Sequence, residues 1–433
     1  MRITKLSVKG LFGMFDNESP LDQESRITII NGPNGGGKTV LMQMVYSLFH
    51  YGYMFLREIP CDRLMIQYES DETLLVQCEN LGQNLTIQIE NGTTVEDSIV
   101  ELPLVHADTV RKEAKEYFPN LEPIEWAGKS YWIQKDESRN RNSASRTGVP
   151  IEQTISLEEL FDSDPEFHTR LYGEIPLWFS RIRSDTRISL IDTQRLFGAQ
   201  IYGSSQSEPP QDGGLILVYG LQKVHVPFYL PAIEGIRIRF ERFFQMHLAE
   251  FIHEREKSRR LNELAEKVSE VDEHEVSVLL QSAAEKTVGD LKSRDHYQEM
   301  EIFVDMLNER FLFKEFYVGM DDFGEDDYGV GSPTVDFYSE ASGRPIPFNK
   351  LSSGEQHLLI LYYQLLFETE PDTLVMIDEP ELSMNVVWQR NFLKDLQRII
   401  ELRKFDVLIA THSPQIIHDK WDWMVPLGEK MGH

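Results

Sequence analysis

Apolar and polar positions change rhythm several times along the chain, and each change marks an element. Residues 1–30 alternate as two strands around a turn, with Ile3, Leu6 and Val8 in the first and Ile27-Thr-Ile-Ile30 in the second. The second run stops at Asn31-Gly32, which predicts a buried strand feeding a loop. Over 40–50, Leu41, Met44, Val45 and Leu48 recur at helical spacing. The order is strand, glycine loop, helix. Residues 63–104 return to period two, in Leu64, Ile66 and Tyr68, then Leu74 and Val76, then Leu85, Ile87 and Ile89 before Asn91-Gly92. This predicts an antiparallel meander.

Further along, 136–150 is polar and predicts a loop, Ile188-Ser-Leu-Ile-Asp192 predicts a strand, and 203–214 predicts a second polar loop. Residues 231–315 are rich in Glu, Lys, Arg and Leu, with Phe243, Met246, Leu248, Phe251, Leu280, Leu291, Met300 and Phe303 as the apolar positions. The pattern breaks too often for a long coiled coil and predicts a few packed helices. The acidic stretch 321–328 predicts a solvated hairpin or loop. The C-terminal part then reads as a helix over 353–367, a strand over 373–377, a helix over 387–402 and a strand over 406–410. That βαβ alternation predicts a parallel sheet.

Composition narrows the class. A chain of 433 residues buries a large core. No run of about 18 apolar residues is present, and the N-terminus alternates as a strand without a signal-peptide core, so a cytoplasmic location with no membrane contact is expected. Cys61 and Cys78 are the only cysteines and lack metal-binding spacing, so both are read as reduced, part-buried thiols. The formal charge of −28 disfavours a broad grip on DNA, which needs a basic surface.

Four motifs carry chemistry. Gly32-Pro-Asn-Gly-Gly-Gly-Lys38-Thr39 fits GxxxxGK[ST] between a strand and a helix. In such a loop, glycines let backbone N–H groups close on phosphate oxygens at a helix N-terminus. Asn34, Gly35, Gly36, Gly37, Lys38 and Thr39 are therefore the candidate ATP cradle, with Lys38 on the β- and γ-phosphates and Thr39 on Mg²⁺. Leu374-Val-Met-Ile-Asp378-Glu379 is a buried strand ending in two acids. Asp378 is the second candidate for the Mg²⁺ shell and Glu379 the candidate that polarises the attacking water. Leu351-Ser-Ser353-Gly354-Glu355-Gln356 opens a helix, so Ser353, Gly354 and Glu355 form a second candidate anion site. One nucleotide needs one cradle, so the second site suggests a second molecule. His412, in Thr411-His412-Ser-Pro414 after a strand, is placed to hydrogen-bond the γ-phosphate or the water.

In this order the motifs resemble the ABC-class ATPases, and GPNGGGKT, LSSGEQ, IDEPE and THSP are similar to the SMC/RecF/OLD branch rather than to transporters. The wide interval from Lys38 to Gly354 also separates the chain from transporters. The resemblance implies an α/β ATPase head, with a P-loop parallel sheet, an antiparallel β-subdomain and an inserted helical lobe. The expected division is 1–110 and 316–433 as the two halves of the head, 111–230 as its continuation, and 231–315 as the lobe. It further implies Asn34 to Thr39 as P-loop, Ser353 and Gly354 as signature, Glu379 as base, Glu381 to Met384 as D-loop and His412 as switch histidine. The branch pattern EPExxLH lacks its histidine here, and both Gln194 and Gln67 stand as Q-loop candidates.

An ATP-gated homodimer or higher oligomer with head-to-tail sites is implied. Without a coiled-coil arm, a zinc hook or, after His412, room for an OLD-type nuclease domain, the expectation is a regulatory ATPase similar to those of the Septu, PARIS and retron-associated anti-phage systems. It would act with a separate effector, a nuclease or toxin, in response to a phage-derived trigger. The alternative is a RecF-like DNA repair or loading ATPase, with Arg181, Arg183, Arg187, Arg255, Lys257, Arg259 and Arg260 as candidate groove residues.

Overall fold

The computed structural model describes residues 1–79, 84–90, 99–126, 129–134, 154–156, 161, 164–192, 214–219, 222–228, 293–320, 333–382 and 384–427. In chain order these form β1 (Ile3–Leu11), β2 (Phe15–Pro20), β3 (Ile27–Asn31), α1 (Lys38–Phe49), α2 (Tyr53–Glu58), β4 (Arg63–Tyr68), β5 (Thr73–Glu79), β6 (Asn84–Glu90) and β7 (Ile99–Leu102). Next come α3 (Ala107–Tyr117), β8 (Leu121–Trp126), β9 (Lys129–Gln134), β10 (Thr154–Ser156), α4 (Pro165–Tyr172), α5 (Leu177–Asp185) and β11 (Arg187–Asp192). They are followed by β12 (Gly214–Tyr219), β13 (Gln222–Phe228), α6 (Ser293–Arg310), β14 (Lys314–Met320), β15 (Pro333–Ser339), β16 (Pro345–Ile346) and α7 (Ser353–Tyr363). The chain closes with β17 (Thr373–Asp378), α8 (Val386–Arg403), β18 (Asp406–Ala410), α9 (Pro414–Ile417) and β19 (Met424–Pro426).

Two compact units result, one from 1–229 with 369–433 and one from 230–368. The first holds a parallel sheet of order β11-β17-β18-β3-β19 and an antiparallel sheet of order β2-β1-β4-β5-β6-β7. This is the α/β arrangement the sequence predicts, a parallel sheet accompanied by a separate antiparallel one. Every residue of β17 and β18 is buried, as expected for strands covered on both faces. The helix α8 provides the crossover that two parallel strands require. The buried face of α1, including Leu41, Val45 and Leu48, joins one core with Leu6, Val8 and Ile66 of the antiparallel sheet and Met376 and Leu408 of the parallel one.

The first thirty residues hold three strands rather than two. Phe-Asp-Asn-Glu-Ser-Pro is too polar to predict β2, yet Asn17 and Ser19 alternate inward and are buried. An edge strand needs one ladder only and tolerates such a composition. The meander at 63–104, the strand at 188–192 and the C-terminal βαβ run all form as expected.

In the second unit, Phe303 of α6 packs edge-on against Phe316 of β14 and against Phe367. Phe316 and Phe337 of β15 are adjacent rings. The helical expectation for 231–315 holds at 293–310, but Lys314 already belongs to a strand. Residues 231–292, and with them Arg255, Lys257, Arg259 and Arg260, lie outside the described residues, as do the acidic stretch 321–328 and the loops 136–150 and 203–213. Among the described residues, no helix is long and apolar enough to cross a membrane.

Candidate functional site

The P-loop runs from the end of β3 into α1. Pro33 and Gly36 close a turn through Gly36 N–H to Pro33 O at 3.0 Å, and Gly35 inside it has φ 79°. Gly37 precedes α1 at φ 87°, a region open to glycine at little steric cost. A Cβ there would also collide with Leu11 Cδ2. Buried Asn17 donates through Nδ2 to Gly36 O at 2.9 Å. The edge strand missed in the sequence therefore props the loop from beneath. No side chain caps the start of α1 and no acid sits in its first turn, so its leading N–H groups are left to an anion.

Lys38 is 6% exposed and its ammonium donates to Gly32 O at 2.9 Å and Pro33 O at 3.2 Å. Burial lowers its pKa, while Asp378, Glu379 and Glu381 act in the opposite sense. Thr39 Oγ1 donates to Asp378 Oδ2 at 2.8 Å. The parallel register brings Asp378 level with Ala410 of β18 and Asp192 of β11. Glu379 follows at φ 49° with its N–H on Ala410 O at 2.8 Å, so the chain turns sharply where β17 ends. A non-glycine residue in that region is uncommon.

Lys38, Thr39, Asp378 and Glu379 thus meet at the carboxyl ends of β3 and β17, the usual ligand edge of an open α/β sheet. The hydroxyl–carboxylate pair beside a buried ammonium suits an Mg²⁺–nucleotide. Among the described residues, no cluster of three His, Cys, Asp or Glu side chains forms a metal site made by the protein alone. His412 is exposed on the loop after β18, and its backbone N–H is held by Glu381 Oε1 at 2.8 Å.

Residues 351–356, the expected signature, lie in the second unit. The capping residue of α7 is Ser352, not Ser353, and Ser352 and Glu355 form a reciprocal capping box. Ser353 is exposed at the first helical position, Gly354 is buried, and Glu355 is 6% exposed. Glu355 accepts from Ser352 N at 2.7 Å, from Ser352 Oγ at 2.9 Å and from Lys314. Burial acts to raise its pKa, but Lys314 and Ser352 outweigh it and hold the carboxyl below its usual range. Glu355, grouped in the sequence with the anion-binding residues, has its carboxylate engaged by Lys314 and by its own helix start.

Gln67 is exposed on β4, and Gln194 lies outside the described residues. The basic candidates in the first unit are engaged. Arg181 pairs with Glu72, Arg183 lies 3.7 Å from the centroid of the Tyr51 ring, and Arg187 pairs with Glu370 at 2.9 Å.

The profile of a family described as "AAA domain, putative AbiEii toxin, Type IV TA system" matches residues 135–418, a span that excludes the P-loop. Three SMC head structures are similar over 99% of the chain: that of Thermotoga maritima, at 11% identity, TM-score 0.34 and 97% of that chain; that of an Smc head domain with an extended coiled coil bound to the C-terminal domain of ScpA, from Pyrococcus furiosus, at 12%, 0.35 and 95%; and that of an Smc head bound to the winged-helix domain of ScpA, at 10%, 0.36 and 96%. No curated protein matches the chain.

Proposed function

The chain belongs to that AAA domain family of P-loop ATPases, and on this premise we propose that it hydrolyses ATP as a nucleotide-gated regulatory subunit working with a separate effector. The observation that carries the reading is the 2.8 Å contact between Thr39 and Asp378, which joins the loop that would hold phosphate to the strand that would hold the metal.

The chemistry follows from these residues. The uncapped N–H groups of α1 receive phosphate oxygens. Lys38 exchanges the Gly32 and Pro33 carbonyls for the β- and γ-phosphates. Thr39 and Asp378 hold Mg²⁺, which when bound neutralises charge on the phosphates. Glu379 takes up the proton of the attacking water, and the His412 ring contacts the terminal phosphate or that water. Ser353 and Gly354 supply the closing anion site to a second copy, so that two head-to-tail subunits complete each site.

Glu379→Gln tests the core of this reading. Turnover is expected to vanish while an ATP-bound homodimer accumulates in light scattering, and wild-type hydrolysis by the variant would sink the assignment. The finer reading is an anti-phage role in the cytoplasm, with a nuclease or toxin as effector and a phage-derived trigger. The family description, a putative toxin of a type IV toxin–antitoxin system, supports the coarser part of it, a place in such a system. Retention of the effector on the Glu379→Gln dimer during purification would support that role. Arg181 and Arg187 are paired with carboxylates and Arg183 lies over Tyr51, which leaves less uncompensated positive charge for the groove that the DNA-repair alternative needs.

A further inference from the structure

The loop after β17 and the loop after β18 are stitched together by Glu381 of the first loop and by Gln389 of α8. Glu381 Oε2 accepts from Thr411 Oγ1 at 2.8 Å and Glu381 Oε1 accepts from His412 N at 2.8 Å. Thr411 Oγ1 in turn accepts from Ser413 N at 2.9 Å. A second stitch runs through Gln389, whose Oε1 accepts from Ser413 Oγ at 2.7 Å and whose Nε2 donates to Met384 O at 2.9 Å. Met384 N closes the first loop on Glu381 O at 3.0 Å. Residues 381, 384 and 411–413 are thereby held as one body.

A carboxylate this close to a phosphate site needs a reason. Its field reaches Lys38, and an uncompensated negative charge there would oppose a polyphosphate. Two donors aimed at its two oxygens localise that charge on the loop after β18 instead. The same arrangement occupies the backbone N–H of His412, so the imidazole alone is left to address the nucleotide, from a backbone fixed in orientation.

We propose that Glu381 is the positioning residue that sets His412 and transmits to it any displacement of Glu381 and Met384. The inference rests on the reading of His412 as the group that contacts the terminal phosphate or the water. A misoriented contact to the reacting group lowers kcat and leaves ground-state binding in place.

The test is a double-mutant cycle on the full chain, with ATP turnover and ATP binding measured separately. Glu381→Ala is expected to lower kcat about tenfold or more, with the Kd for ATP within about twofold of wild type. Glu381→Gln keeps the shape and one acceptor oxygen, so it is expected to lie between the two, and it replaces the alanine variant if that one fails to fold. The double variant Glu381→Ala/His412→Ala is expected to be no slower than His412→Ala alone, because the two side chains act through one contact.

Additive losses, or a Kd that rises in step with the loss of kcat, would show a loop staple with no bearing on His412 and overturn the proposal. A slow His412→Ala beside a wild-type Glu381→Ala defeats this inference alone. A wild-type rate for His412→Ala defeats the reading of His412 on which it rests.

Discussion

Thr39 reaches Asp378 across 2.8 Å although 339 positions separate them in the chain. The hydroxyl donates and the carboxylate accepts, so each fixes the other in the place where an Mg²⁺ shell would form. Thr39→Ala and Asp378→Asn are each expected to lower kcat about 100-fold, the scale of losing one preorganised charge-stabilising group. Thr39→Ser should retain most activity. An Mg²⁺ titration of the steady-state rate checks this, and full activity in Asp378→Asn would refute the placement.

Gly37 stands at φ 87° with Leu11 against its Cα. Gly37→Ala is expected to destabilise the fold by about 1–3 kcal/mol through backbone strain, and to weaken ATP binding because the loop must shift. A urea midpoint equal to wild type would mean that the turn accepts a side chain.

His168 is buried among Tyr51, Phe161 and Tyr172, and neither ring nitrogen has a hydrogen-bond partner. Burial, aided by the charge of Arg183, lowers its pKa to about 4, and burial does the same to His357 of α7. An unfolded imidazole titrates near 6.5, so between the two values the unfolded chain binds more protons and stability falls as pH falls. Each histidine accounts for about 3 kcal/mol over that window, with no contribution above about pH 7. Urea titrations at pH 7 and pH 5 measure it. His168→Phe keeps an aromatic ring and is expected to make the acid-side loss shallower; an unchanged slope would remove His168 as its source.

Head-to-tail sites make a prediction that separate sites do not. Lys38→Ala and Ser353→Arg are each expected to be inactive alone. Mixed in equal amounts they should recover about a quarter of wild-type ATPase, since half the dimers are mixed and each keeps one intact site. Ser353 is exposed, so the fold should accept the arginine. A mixture without activity would argue that each chain completes its own site.

The sequence alone determined the P-loop, the buried strands of the parallel sheet and the acids that end β17. Phosphate chemistry requires glycines and lysine at fixed local spacing, and a strand covered on both faces must be continuously apolar. The meander was legible for the related reason that period two follows from one buried face. Tertiary structure decided what depends on distant partners. Polar β2 is a strand because it pairs with β1 and turns Asn17 beneath Gly36. Glu355 bonds its own helix start and also Lys314, a partner that lies beyond the reach of motif spacing. Glu381 reads in the sequence only as the start of the expected D-loop, and its partners appear once the sheet lays β17 beside β18 and brings Thr411 and His412 to its oxygens. Spacing along the chain encodes contacts made within one loop or one helix turn. Contacts between loops at the ends of neighbouring strands are set by strand order and register, which local spacing does not record.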